Sequence, residues 1–277
     1  MAVRHYQLQS QSHKSGVALV SKTATTVGRK RHSPDKQLQL KRDNFERLLG
    51  FDRNQRFPGR SRKPQCFLVG VDEVGRGCFA GPVVAAAVML PEIDQDSDLA
   101  ASILELNDSK QLKPAQRERL AAIIHEVALC AIGEASVEEI NEINILHASL
   151  MAMRRALDLL SSLIPDTLPV LVLVDGNKAI KNIELKYVQT TVIDGDANSA
   201  SIAAASIIAK VHRDKMMMEL SERHPHYCWD KNKGYGSRTH REALLAHGPT
   251  QWHRRLWCET LMSGGNLLEF ADEREDD

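Results

Sequence analysis

Four acidic residues stand out by where they fall. Asp72 and Glu73 end the apolar run CFLVGVD, Asp175 ends PVLVLVD, and Asp196 lies in IDGDANS, after a further apolar run and just before a helical stretch. In a layered α/β sheet, ligand crevices form at strand ends, so acids at several such ends can converge. Carboxylates packed together repel unless a cation neutralises them. Hard oxygen donors without clustered His or Cys select Mg²⁺ or Mn²⁺ over zinc. Four acids are enough to hold two ions about 3.5–4 Å apart, the arrangement that activates a water and stabilises the leaving oxygen in phosphodiester cleavage. Taken singly, each acid also reads as a turn or helix cap, and for Asp196 alone the cap is the better reading.

Other groups near these acids suit a phosphate or sugar. Gly75 and Gly77 flank Arg76 directly after the acid pair. Glycine permits unusual backbone angles and close approach of a ligand, and backbone N–H groups with an arginine can grip phosphate. By itself the Gly-Arg-Gly segment reads equally as a hairpin turn. Lys110 in NDSKQL and Lys210 in AAASIIAK are placed to reach phosphates, although a solvated lysine is the ordinary case. Tyr235 in KGYG sits in a Gly-rich loop, where its ring can stack on a sugar or base or simply pack.

The elements that must position these groups follow from the apolar pattern. Residues 66–72 and 81–90 read as two strands joined too tightly for a parallel crossover, hence antiparallel. A loop rich in Asp and Ser spans 92–110. Pro114 opens a helix to about residue 127, and 128–135 form a third strand. Ser136 and Glu139 are spaced as a capping box for a helix to about residue 160, with Ile140, Ile143, Leu146, Leu150 and Met153 as its apolar stripe. Residues 169–175 are almost wholly apolar, as suits a strand buried on both faces. Residues 187–193 make another strand and 198–222 a helix rich in small residues. Shorter helices follow between 239 and 261, broken at Gly248-Pro249. The fold expected is α/β, with a mixed central sheet flanked by helices on both faces and C-terminal helices.

Composition bounds the rest. The chain has 277 residues, 43% hydrophobic and 26% charged, and a formal net charge of zero. The average hides an asymmetry: residues 1–64 hold 15 Lys and Arg against 4 Asp and Glu, leaving 21 and 32 for the remainder. That segment reads as a basic, disordered arm, with one short amphipathic stretch at 45–51. Its charge fits a nonspecific contact with a polyanion. Residues 269–277 read as an acidic tail. No apolar run reaches the roughly 20 residues that span a bilayer. Five scattered cysteines without a CxxC pair fit a reducing, cytoplasmic setting.

The motifs VDEVGRG, LNDSKQL, INEINILHASLMAMRRAL, LVDGN, GDANSASIAAASIIAKVHRD and KGYG occur in this order, and in them the chain resembles bacterial ribonuclease HII over about residues 65–260. The resemblance implies a ribonuclease H-like fold over a catalytic region of 65–268. It implies an endoribonuclease that cleaves RNA in RNA–DNA hybrids and cuts 5′ of single ribonucleotides in duplex DNA. It makes Asp72, Glu73, Asp175 and Asp196 the acids that bind two Mn²⁺ or Mg²⁺ ions. It makes Gly75, Arg76 and Gly77 the contact to the 2′-hydroxyl, and Tyr235 the stacking ring. It places Asn107, Ser109 and Lys110 near the substrate backbone. A monomer is expected. Alternatives are a ribonuclease HIII-like hybrid nuclease, an inactive hybrid-binding protein and a metal-dependent DNA nuclease.

Overall fold

The structure, a computed structural model, describes residues 33–60, 63–184 and 187–264. Among them are five strands: β1 (Phe67–Val74), β2 (Val83–Met89), β3 (Leu129–Ala135), β4 (Val170–Asp175) and β5 (Tyr187–Val192). They form one sheet in the order β3-β2-β1-β4-β5. β1 pairs antiparallel with β2 and parallel with β4, and β4 pairs parallel with β5. The mixed sheet therefore changes from antiparallel to parallel pairing at β1, the strand that carries the first two acids.

Helices cover both faces. On one, α4 (Val137–Ser161) packs Ala148, Ala152 and Leu157 against Val69, Val71 and Val172. On the other, α3 (Pro114–Val127) and α6 (Ala200–Arg223) pack Leu120, Ile124, Ala204 and Ile207 around Val84, Ala86 and Val88. This alternation along β1 and β2 is the period-two signature of strands buried on both sides. α6 lies directly on β1: a Cβ at Gly70 would overlap the backbone of Ser201 and Ile202. The C-terminal region contributes α7 (Trp229–Asn232), α8 (Arg238–His247) and α9 (Arg255–Met262), and Gly248 ends α8 with φ +75°.

Three expectations need correction. The first concerns the basic arm. Residues 34–56 form a 23-residue helix, α1 (Pro34–Arg56), capped by Ser33 and docked on the body. Its apolar signal is thin because only Phe45, Leu48 and Asp52 are buried. Residues 1–32 and 269–277 lie outside the described residues. The second concerns α4. Asn144, at φ +65° and ψ 168°, interrupts the helix, and its Oδ1 accepts the His147 N–H, restarting the helix beyond it. The apolar stripe shifts register there, so Ile143 faces solvent while Ala148 and Ala152 are buried. The third concerns the loop at 92–110, which contains the short helix α2 (Asp98–Ser102).

The buried carboxylate of Asp52 fastens α1. It accepts from the Ser199 hydroxyl at 2.6 Å, the Ser201 hydroxyl at 2.7 Å and the Ser201 N–H at 2.8 Å, at the start of α6. Arg47 adds a bond to the Ala197 carbonyl at 2.6 Å. α1 thus braces the segment that bears Asp196. Asp52→Ala leaves three buried donors without an acceptor and should cost about 2–3 kcal/mol. Urea melts at constant m-value read this directly; a shift below about 0.5 kcal/mol contradicts the brace.

Candidate active site

The four acids meet at the C-terminal ends of the parallel pair β1–β4. Asp72 and Glu73 are near the end of β1, and Asp175 is the last residue of β4. Asp196 sits in α5 (Gly195–Asn198), a single turn after β5. It is not the cap of the following helix; Ser199 caps α6 by accepting the Ile202 N–H at 3.2 Å. The Gly195 N–H donates to Asp175 at 2.7 Å and ties the β4 end to the Asp196 turn.

Crowding and burial shape the electrostatics. Asp72 is only 5% exposed, and its pKa stands well above the usual carboxylate range. Burial is the main cause, reinforced by the charges of Asp175 and Glu73; a hydrogen bond from Ser206 opposes it. Burial also raises Glu73, against the opposing charge of Arg76. Burial raises Asp175 too, offset in part by the Gly195 N–H, Lys110 and a hydrogen bond with Asp72. Asp196 is pushed up to about 6, by burial first, with Lys110 opposing.

The neutralising cations are few and held at long ion-pair distances. Lys110 Nζ is 3.6 Å from Asp196, and Arg76 is 3.5 Å from Glu73. Burial disfavours the Lys110 ammonium, but Asp196, Asp108, Asp72 and Asp175 together outweigh it and raise its pKa. Among the described residues, no three His, Cys, Asp or Glu side chains are gathered to hold an ion as they stand. The donors nonetheless fit a hard divalent cation: they are all oxygen, close-set, and short of positive charge.

The remaining expected residues surround this cluster in different ways. Gly75, Arg76 and Gly77 form the turn after β1. Tyr235 reaches that turn through a bridge with Cys78, and the Phe79 N–H donates to the Gly234 carbonyl at 2.8 Å. Tyr235 is 41% exposed as a residue, and its hydroxyl is pushed up to about 12, mainly by burial, so it stays protonated. Lys210 is held by Asp214 at 2.6 Å and lies 5.8 Å from the centre of the Tyr235 ring. Asn107 bonds to Gln111 and to the Asp108 N–H. Ser109 is buried and shares a 2.9 Å bond with Ser206. It therefore links the NDSKQL segment to Asp72 through the Ser206 hydroxyl. Arg117 fixes the same segment by donating to the Ser109 and Leu112 carbonyls.

Sequence reasoning missed several supporting groups. Arg213 and Arg254, both fully buried, bond to backbone carbonyls of the turns around 75–82 and 233. Asp52 and Arg47 act from outside the motif region. The usable signals, arginines within KVHRD and WHRR, look like surface charge in sequence.

A mixed sheet of this order, with carboxylates at its central strand ends, defines an α/β protein with the ribonuclease H-like fold. The family model described as ribonuclease HII matches residues 69–260. The ribonuclease HII of Thermosynechococcus vestitus is 48% identical over 196 residues, covering 70% of this chain and 85% of that protein. That of Trichodesmium erythraeum is 50% identical over 186 residues, covering 67% and 83%. Ribonuclease HII in its PCNA complex from Archaeoglobus fulgidus superposes with a TM-score of 0.55 at 25% identity, covering 69% of this chain and 95% of that one. Bst-RNase HIII in complex with Mn²⁺ shares the fold at a TM-score of 0.59 and 21% identity, covering 76% and 71%. The chain belongs to the ribonuclease HII family. It is a type 2 ribonuclease H, a hydrolase of phosphodiester bonds acting on RNA–DNA hybrids. Among the described residues no helix is long and apolar enough to cross a membrane.

The raised acid pKa values have a consequence for stability. The folded state binds these protons more tightly than the unfolded state, so their contribution is complete below the ordinary carboxylate range. It is lost as pH rises through the folded values, about 6 for Asp196. Without divalent metal, Asp175→Asn should raise the melting temperature near neutral pH and flatten its fall with rising pH. Melting curves in chelator from about pH 5 to about 7.5 test this; a metal-free variant less stable than wild type at the upper end contradicts it.

Proposed function

We propose that this chain is an endonuclease that cuts within the RNA of hybrids and immediately 5′ of a single ribonucleotide in duplex DNA. Its products carry 3′-hydroxyl and 5′-phosphate ends. The observation that supports this best is the convergence of four acids beside the Gly75–Gly77 turn and the partly open Tyr235 ring. We further read the protein as a cytoplasmic monomer; its five free cysteines accord with a reducing setting.

Asp72, Glu73, Asp175 and Asp196 would hold two Mg²⁺ or Mn²⁺ ions. Bound there, the metal supplies a more acidic water and a stabilised leaving oxygen. The chain's own groups do the rest. Ser206 orients the Asp72 carboxylate, and the Gly195 N–H orients that of Asp175. Lys110 and Arg76, loosely held by the acids, are free to turn to phosphates as substrate enters. Water adds to phosphorus as the bond to the 3′-oxygen breaks, and a proton passes to that oxygen. The 2′-hydroxyl is the group that marks a ribonucleotide within DNA, so the backbone donors of residues 75–77 read it. Tyr235 stacks on the neighbouring sugar and keeps the strand in register.

The alternatives have less support. The matching family model and the two sequence relatives above are ribonuclease HII, whereas the ribonuclease HIII above is matched only as a fold, at 21% identity. A binding-only protein has no need of a costly cluster of buried acids. The deciding experiment uses a DNA duplex with one ribonucleotide, with Mg²⁺ or Mn²⁺. Wild type should cut once, 5′ of the ribonucleotide, and Asp175→Asn should lose roughly a hundredfold or more in kcat. Equal cutting of an all-DNA duplex refutes the proposal. Tyr235→Ala should lower kcat/KM on the single-ribonucleotide duplex about tenfold, the scale of one lost stacking contact; an unchanged value removes the role given to the ring.

A further inference from the structure

Two arginines lie fully buried beneath the substrate-facing turns, and neither has a carboxylate partner among the described residues. Arg213 on α6 donates to the carbonyls of Pro82 at 3.0 Å, Ala80 at 3.0 Å and Lys233 at 2.8 Å. Arg254, just before α9, donates from Nη2 to the Gly75 carbonyl at 2.6 Å and from Nη1 to the Arg76 carbonyl at 2.7 Å. Its Nε and Nη2 also reach the Gly81 carbonyl at 3.1 and 3.0 Å. A buried charge without a counter-ion is costly. Burial lowers the Arg254 pKa to about 10, which still leaves it charged at neutral pH. An apolar side chain would fill this space more cheaply, so the donors themselves must matter.

Peptide geometry shows how. The described peptide bonds are all trans. In a trans peptide, the C=O of one residue and the N–H of the next point in opposite directions. Holding the Gly75 and Arg76 carbonyls on one inward guanidinium therefore turns the Arg76 and Gly77 N–H groups outward. Neither N–H bonds to another described residue. Gly75 takes φ +98°, and a Cβ there would collide with the Arg213 guanidinium, so both arginines abut the turn. Successive N–H groups facing one way make a donor pair for an oxygen ligand.

We propose that Arg254 is a specificity-determining positioning residue. It holds the Arg76 and Gly77 amides aimed at the ribonucleotide, which rests on the reading of this turn as the contact to the 2′-hydroxyl. Arg254 does not touch substrate; it acts through the backbone it grips. Only a planar fork spans two adjacent carbonyls and a third beyond them.

The test measures binding rather than cutting. Full-length wild type and Arg254→Lys are titrated by fluorescence anisotropy, without divalent metal, with a DNA duplex carrying one ribonucleotide and with the all-DNA duplex of the same sequence. The lysine keeps the charge but cannot bridge both carbonyls. Preference for the ribonucleotide duplex should fall about tenfold, the equivalent of about 1.4 kcal/mol, while all-DNA affinity stays within about twofold. A preference retained in the variant overturns the role of Arg254 alone. A wild type with no preference overturns the reading beneath it. Amide hydrogen exchange at Arg76 and Gly77 needs no variant. Exchange should be slower in the ribonucleotide complex than in the all-DNA complex. Equal exchange overturns the proposal even if Arg254→Lys does not fold.

Discussion

The mutual repulsion of four carboxylates is the constraint that the rest of the structure answers. Asp72, Glu73, Asp175 and Asp196 are brought together where burial already disfavours their charge. No surface loop would keep such groups adjacent, because it would relax and let them part. Here Asp72, Glu73 and Asp175 hang from the seam of two parallel strands in the middle of the sheet. Apolar residues on both faces hold that seam, so separating the acids would mean opening the core. The packing energy of Val69, Val71, Val172 and Val174 is thereby spent in part on holding charge together.

Asp196 poses a separate difficulty, because it lies on a single helical turn with no sheet around it. Its position is held from three sides. The Gly195 N–H ties it to Asp175, the close packing of α6 at Gly70 ties it to β1, and α1 grips its neighbours through Arg47 and Asp52. The last of these comes from a helix that precedes the region matched by the family model. A segment outside the shared motifs thus bears on a residue within them. The turns at 75–82 and 233–235 are held in a different way. Buried guanidinium groups bind their carbonyls, which fixes direction as well as position.

Much of this was legible in the sequence. The strand ends, the acid pair and the capping box at Ser136 and Glu139 follow from apolar pattern and residue type, and the structure has them in place. What was not legible has a common cause. Asp52, Arg213 and Arg254 are charged residue types, which pattern reading assigns to the surface. Their burial depends mainly on partners 130 or more positions away, such as Asp52 with Ser199 and Arg213 with Pro82, and no local signal encodes that. Only residues 45–51 of α1 stood out as an amphipathic stretch, because a helix that docks through Phe45, Leu48 and one acid shows little periodicity. The break in α4 escaped because Asn144 stands in an otherwise ordinary helical stretch, and only its backbone angles reveal the restart.

Placing the acids and the proposed reader on one strand and its turn has a mechanical consequence. Glu73 and Gly75 are separated by a single residue, Val74, which still belongs to β1. If the proposed roles hold, the distance between the reader of the ribonucleotide and the acids facing its phosphate is a property of backbone geometry, not of domain motion or loop closure. A displaced reader would have to carry the acids with it or break the strand. This is why a turn gripped from beneath by Arg254 suits the task better than a mobile loop with stronger ligands. A flexible donor could bind the same hydroxyl, but it would let the neighbouring phosphate slide past the acids. On the proposed reading, rigid alignment would convert recognition of one hydroxyl into a defined place of cutting.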